Sequence, residues 1–277
     1  CRRRGSKPSA RESEPGPSRS STRPTPGRRR ARSSAPWREV RPSGSLAIGH
    51  DRYSTAGRVT LENTQPLSVV YRGGALALAH NGNLVNARAL RERLEAGGSI
   101  FQTTLDSEVF LHLIARSHTD GIEAALAEAA AAVRGAYALV LLTADAVYAL
   151  RDPHGFRPLC LGRLDGGHVV ASETCAFDLG GAEHLRDVAP GELVRLDRHG
   201  LTSRRLAPAG GPLHQCVFEH IYFSRPDSRV FGEDVDRVRR AIGRRLAAEQ
   251  PADADVVIAV PDSSNSIALG YSEGSGL

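Results

Sequence analysis

Apolar residues enter this chain late. Residues 1–43 contain no Leu, Ile or Phe and hold seven of the sixteen prolines. Such a segment buries too little apolar surface to offset its ordering entropy, and disorder is expected there. From residue 45 the pattern changes. Residues 46–53, 67–71 and 75–80 read as strands, the last two joined by Arg72-Gly73-Gly74, a hairpin signal. Leu84, Ala87, Leu90 and Leu94 recur at helical spacing, closed by Gly97-Gly98. Val109, Phe110, Leu113 and Ile114 form the inner face of a second helix, which Asp106 can cap. Residues 122–133 are Ala-rich and helical. Short strands are expected over 136–143, 146–151, 159–162, 168–171 and 192–196.

Strands, central helices and more strands predict a layered α+β sandwich. Gly210-Gly211-Pro212 marks a boundary. The expected organisation is a basic leader over 1–43, a first domain over 44–212, and a junction with the start of an α/β domain over 213–277. In that last part, residues 234–249 predict an amphipathic helix. Residues 255–260 are a continuous apolar run, as in a buried parallel strand. A polar loop with Asp262 and Ser263 follows, and a helix opens near Ile267. Strand, polar loop, helix is where α/β sheets bind phosphates.

Charge is unevenly placed. Residues 1–43 carry net +10 and the whole chain +5, so the remainder carries −5. The basic balance belongs to the leader. A basic arm can bind nucleic acid, but this one has a single aromatic, Trp37, and no partner motif, so no nucleic-acid partner is expected. One lysine against 35 arginines reflects GC-rich coding more than a binding function. No apolar run approaches the ~18 residues of a membrane span, so no membrane partner is expected and a cytoplasmic location is. Cys1, Cys160, Cys175 and Cys216 lack a CxxC pair and read as reduced thiols. The absence of methionine points to a processed or partial sequence.

The candidate chemistry lies over 49–108. Cys1, at a free N-terminus, has its own base, because an α-amino group titrates near 7.7–8.0 and can take the thiol proton. Arg52 sits at the end of the expected strand; its guanidinium fork suits a carboxylate or an ordinary surface ion pair. Asn81-Gly82 is a turn signal or an oxyanion hole. Asp106 caps a helix, holds an ammonium, or does both. His80 reads as a hydrogen-bonded structural residue, because an N-terminal nucleophile needs no histidine.

The segments GHDRYSTAG, LENTQP, ALAHNGNLVNA, IFQTTLDSEVFLHLIARS, RDPHGFRPL, ASETCAFD and CVFEHIYFSRPDS stand in the order seen in amidophosphoribosyltransferases. From residue 44 onward the chain resembles that family. The resemblance implies an N-terminal-nucleophile (class II glutamine amidotransferase) αββα sandwich followed by an α/β phosphoribosyltransferase domain. It implies that Cys1 is the nucleophile and that Asn81 and Gly82 form the oxyanion hole. Arg52 and Thr55 would lie near the glutamine carboxylate, and Asp106 would hold the glutamine ammonium. Asp262 and Ser263 would belong to a pyrophosphate loop. Cys216 matches one ligand of the iron–sulfur cluster that some members carry, and Mg2+ would serve a complete transferase domain. Glutamine and phosphoribosyl pyrophosphate are the implied partners, together with a homo-oligomer when intact.

Two departures stand out. The family's paired acidic residues and Gly-Thr-rich loop would lie past Leu277, so truncation is expected, with glutamine hydrolysis the most this chain retains. Cys1 is followed by Arg2-Arg3-Arg4-Gly5 rather than a Cys-Gly-Val-like start, and no HRGQE-like segment follows. One extra base in a GC-rich run turns Gly-Val-Val-Gly into Arg-Arg-Arg-Gly, so a reading-frame shift over 1–43 is expected. The alternatives are another glutaminase-dependent synthase, which the YFSRPDS junction opposes, or an inactive glutamine-binding fragment or pseudogene product.

Overall fold

The computed structural model describes residues 44–51, 60–206 and 211–277. The leader therefore lies outside the described residues. The expected hairpin is present: β1 (Leu67–Tyr71) turns back into β2 (Gly74–Leu84) in the register Leu67↔Leu78 to Tyr71↔Gly74. Gly74 takes φ +109 at the turn, a value that costs glycine little.

The chain then forms α1 (Ala87–Ala96), α2 (Glu108–Arg116) and α3 (Ile122–Ala132). Strands β3 (Gly135–Leu142), β4 (Ala146–Arg151), β5 (Cys160–Leu164) and β6 (Gly167–Ala171) come next. They are followed by α4 (Cys175–Gly180), β7 (Glu183–Asp187), β8 (Glu192–Asp197) and β9 (Gly200–Arg205). The strands make two antiparallel sheets, ordered β1-β2-β3-β4-β8-β9 and β6-β5-β7.

Strand alternation assigns the layers. Leu139 and Leu141 of β3, with Tyr148 and Leu150 of β4, share a core with Leu90, Leu94, Phe110, Ile114 and Leu126 of the helices. Ala138, Val147 and Ala149 point the other way, onto Leu159, Leu161 and Val188 around the small sheet. β4 is buried on both faces, which explains its unbroken apolar sequence. Each leucine so buried contributes about 1.5–3 kcal/mol. Phe177 of α4 packs on Gly162 of β5, where an added Cβ would meet its ring at 3.2 Å. The layers run helix, sheet, sheet, helix.

Several expectations need correction. Residues 46–51 are not in a strand. Leu46 and Ile48 do pack on the second core, but no described strand pairs with them. Asn81-Gly82 is no turn; β2 runs through it, because β3 continues the ladder with Asn81↔Ala138 and Gly82↔Tyr137. Leu84 consequently ends a strand, and α1 starts at Ala87. The turn into α1 is held by Asn86, whose side chain accepts the Arg134 N–H and donates to the Ala132 carbonyl. Asp106 does not cap α2, whose N-cap is Ser107.

Beyond residue 211 the chain has a π-helical turn (Glu219–Phe223) and a two-residue hairpin, β10 (Arg229–Val230) with β11 (Glu233–Asp234). It ends in α5 (Val235–Glu249) and α6 (Asn265–Ser275). The Asp234 side chain caps α5 by accepting the Arg237 N–H. The two helices approach through glycine: a Cβ at Gly243 would stand 2.0 Å from the Ile267 carbonyl, and one at Gly270 would stand 2.1 Å from that of Arg240. The run 255–260 is not a strand. Val256, Ile258 and Val260 are 65, 81 and 79 % exposed; a strand exists only by pairing, and no described strand lies beside this one.

Candidate functional site

The site is built on the free edge of β2. β1 covers that edge only as far as Leu67↔Leu78. Past this point the His80 N–H is taken by the Gln65 side-chain oxygen at 2.7 Å, and the Leu84 N–H by Asp106 Oδ2 at 2.7 Å. Both point away from β3. In an antiparallel ladder such groups alternate, so the Gly82 N–H between them points to the same edge. Gly82 has φ +155, and a Cβ there would stand 2.1 Å from the Ala136 carbonyl. Only glycine fits, and its N–H is presented without a side chain to screen it.

Asp106 is held in place from two sides. Oδ2 accepts the Leu84 N–H, and Oδ1 faces His80 Nδ1 at 3.5 Å. Burial pushes its pKa up, but the His80 contact and the Leu84 and Ser107 N–H groups outweigh that and hold it below the usual aspartate range. It is therefore a carboxylate at neutral pH, with its side chain 25 % exposed. The loop before it is pinned by Glu108, which accepts the Gln102 and Thr103 N–H groups and the Thr103 hydroxyl. Asn63 pins the same loop through Thr104.

A cleft of about 1050 Å³ opens over this edge. Asn81, Gly82 and Asp106 line it, and so do Asp262 and Ser263 from the loop before α6. The structure thus brings together five of the expected site residues. Cys1, Arg52 and Thr55 lie outside the described residues. Cys216 is a partly buried free thiol that does not line the cleft. Among the described residues no group of three or more His, Cys, Asp or Glu is placed to hold an ion. The described residues alone therefore do not make up a ligand set for an iron–sulfur cluster or a protein-held Mg2+.

The far wall comes from Arg157, Glu173 and Glu219, none of which carried an expected role. Arg157 Nη1 meets Glu219 Oε1 at 2.6 Å, and the Ser224 hydroxyl donates to Glu219 Oε2. Glu173 Oε2 accepts the Arg225 N–H and the Ser228 hydroxyl, while Thr174 Oγ1 accepts the Arg229 N–H. RDPHGFRPL, ASETCAFD and YFSRPDS are thus one polar joint. Arg151 ties its turn together by donating to the Arg157, Val188 and Gly155 carbonyls. Cys175 also lines the cleft. Burial pushes its thiol up, against the Ser228 hydroxyl, so little thiolate is present at neutral pH.

Known proteins resemble this chain in sequence and in fold. A family model described as "Glutamine amidotransferase domain" matches residues 50–178. Amidophosphoribosyltransferase 1, chloroplastic, of Arabidopsis thaliana is 52% identical over 235 residues, covering 84% of this chain and 41% of that protein. The amidophosphoribosyltransferase of Bacillus subtilis is 47% identical over 237 residues, covering 84% and 49%. The chain is a homologue of the amidophosphoribosyltransferases. A solved glutamine phosphoribosylpyrophosphate amidotransferase from B. subtilis, complexed with ADP and GMP, superposes with TM-score 0.77 at 45% identity, covering 82% of this chain and 49% of that one. The sandwich is therefore the class II glutamine amidotransferase fold. The chain spans about half the length of these amidophosphoribosyltransferase relatives. No helix among the described residues is long and apolar enough to cross a membrane.

Proposed function

We propose that this chain binds glutamine in the cleft and hydrolyses it to glutamate and ammonia. It would be the glutaminase part of an amidophosphoribosyltransferase. The supporting observation is the free edge of β2, where Gly82, Asn81 and an ionised Asp106 line one cleft. Asp106 pairs with the substrate ammonium, and Arg52 and Thr55 take the α-carboxylate. The Cys1 thiol attacks the amide carbon while its own α-amino group takes the thiol proton. The C–S bond forms and the carbonyl π pair moves to oxygen, where Asn81 and the Gly82 N–H stabilise the charge. Collapse breaks the C–N bond, and the α-ammonium returns its proton to the leaving nitrogen, releasing ammonia. Water then cleaves the thioester to glutamate and restores the thiol.

In the whole enzyme ammonia would displace pyrophosphate from phosphoribosyl pyrophosphate, giving phosphoribosylamine. Asp262 and Ser263 open α6 on the same cleft, and a helix N-terminus suits a phosphate. The domain division at 212/213, a homo-oligomer, Mg2+ at the transferase centre and a cytoplasmic location belong to the same proposal. An iron–sulfur cluster, of which Cys216 would be one ligand, belongs to the whole protein in this proposal and is not completed by the residues described.

The test is glutamate release from glutamine by the chain and by Asn81→Ala and Asp106→Asn. Asn81→Ala should lower kcat about 100-fold or more with little change in KM. Asp106→Asn should mainly raise KM. Glutamine binding without turnover in the unaltered chain would support the inactive-module reading instead.

A further inference from the structure

We propose that His80 and Gln65 are positioning residues that set how Asp106 discriminates the ammonium group of the substrate. The inference rests on the glutamine-binding reading above. Gln65 lies two residues beyond Leu67↔Leu78, opposite His80, where β1 would continue if Pro66 did not interrupt it. Its side chain takes over the missing pairing: Oε1 accepts the His80 N–H at 2.7 Å, and Nε2 donates to the His80 carbonyl at 3.4 Å. That fixes the His80 backbone on both sides. The imidazole, 2 % exposed, is then held between two acceptors, with Nδ1 3.5 Å from Asp106 Oδ1 and Nε2 3.5 Å from the Ala136 carbonyl.

The same ring fills the space under Gly82, where an added Cβ would stand 2.7 Å from Nε2. One side chain therefore touches the ammonium-holding carboxylate and floors the oxyanion strand. Oδ2 of Asp106 is already engaged by the Leu84 N–H. The His80 contact at Oδ1 decides which way the remaining acceptor directions of the carboxylate face. Without it the carboxylate can swing about its last torsion, and its charge no longer points at one place in the cleft.

The test is equilibrium binding of L-glutamate and glutarate, which differ in the ammonium and are not hydrolysed. The unaltered chain should bind L-glutamate about 10- to 100-fold more tightly. His80→Asn puts an amide N–H near the place of Nδ1 and should keep most of that ratio. His80→Gln puts it near the place of Nε2, away from Asp106, and should bring the ratio to within about threefold of unity. Equal ratios in the two variants would overturn the proposal. The unaltered chain supplies an independent check, since nitrogen-15 NMR of the imidazole should find a proton on Nδ1. A ring protonated on Nε2 alone would also overturn it. If the unaltered chain binds neither ligand, the glutamine-binding reading itself has failed.

Discussion

Arg157 Nη1 lies 2.6 Å from Glu219 Oε1, across 62 residues of sequence. Glu219 is 3 % exposed and its other oxygen takes the Ser224 hydroxyl. Arg157 also covers the Phe223 ring at 4.6 Å. The pair joins the turn after β4 to the π-helical segment, and both residues line the cleft. Arg157→Ala would leave a buried carboxylate without its cation. It should cost about 3 kcal/mol, read as a lowered urea midpoint. Arg157→Lys should recover only part of this, because the lysine point charge lacks the planar stack on Phe223.

Gly82→Ala should be far more damaging than its size suggests. The new methyl would meet the Ala136 carbonyl at 2.1 Å and His80 Nε2 at 2.7 Å, at a φ that non-glycine residues avoid. A loss of about 2–4 kcal/mol is expected, with glutamine hydrolysis abolished in whatever folds. Thermal unfolding and glutamate release check the two effects separately.

Asp106 makes a pH prediction. Its folded pKa lies below its ordinary value of 3.8. A carboxylate with a depressed folded pKa contributes stability above its unfolded pKa and loses it as pH falls through the folded one. The stability difference between the wild-type chain and Asp106→Asn should therefore shrink as pH falls below about 4. Urea unfolding from about pH 5 downwards measures it. A difference that does not shrink there would mean the carboxylate is not held as described.

Much of the sandwich was legible because its strands and helices carry their own period. The helical repeat at Leu90 and Leu94 points to a single face, and the apolar run of β3 fills a core on each of its faces. What was missed had no such pattern. β7 (EHLRD) and β9 (GLTSRR) are polar edge strands, made strands by the neighbours they pair with. Asn81-Gly82 looked like a turn because local chemistry says so; pairing with β3 overrides it. Conversely, the apolar run 255–260 has strand chemistry and no described partner.

In the site, Asn81, Gly82 and Asp106 were legible as chemistry, from the family resemblance as much as from the residues. Gln65, Glu108, Arg157, Glu173 and Glu219 were not assigned roles. Each acts through a contact distant in sequence or through a backbone group, which spacing does not encode. The only signal was that the segments holding them, LENTQP, IFQTTLDSEVFLHLIARS, RDPHGFRPL, ASETCAFD and CVFEHIYFSRPDS, form part of the resemblance.

The most direct test of the central claim is covalent labelling by a glutamine analogue with a diazoketone in place of the side-chain amide, followed by peptide mass spectrometry. The account predicts label on Cys1, protection by glutamine, and labelling slowed at least about tenfold in Asp106→Ala. Label on the cleft-lining Cys175 instead, or an Asp106→Ala chain labelled as fast as the unaltered one, would contradict it.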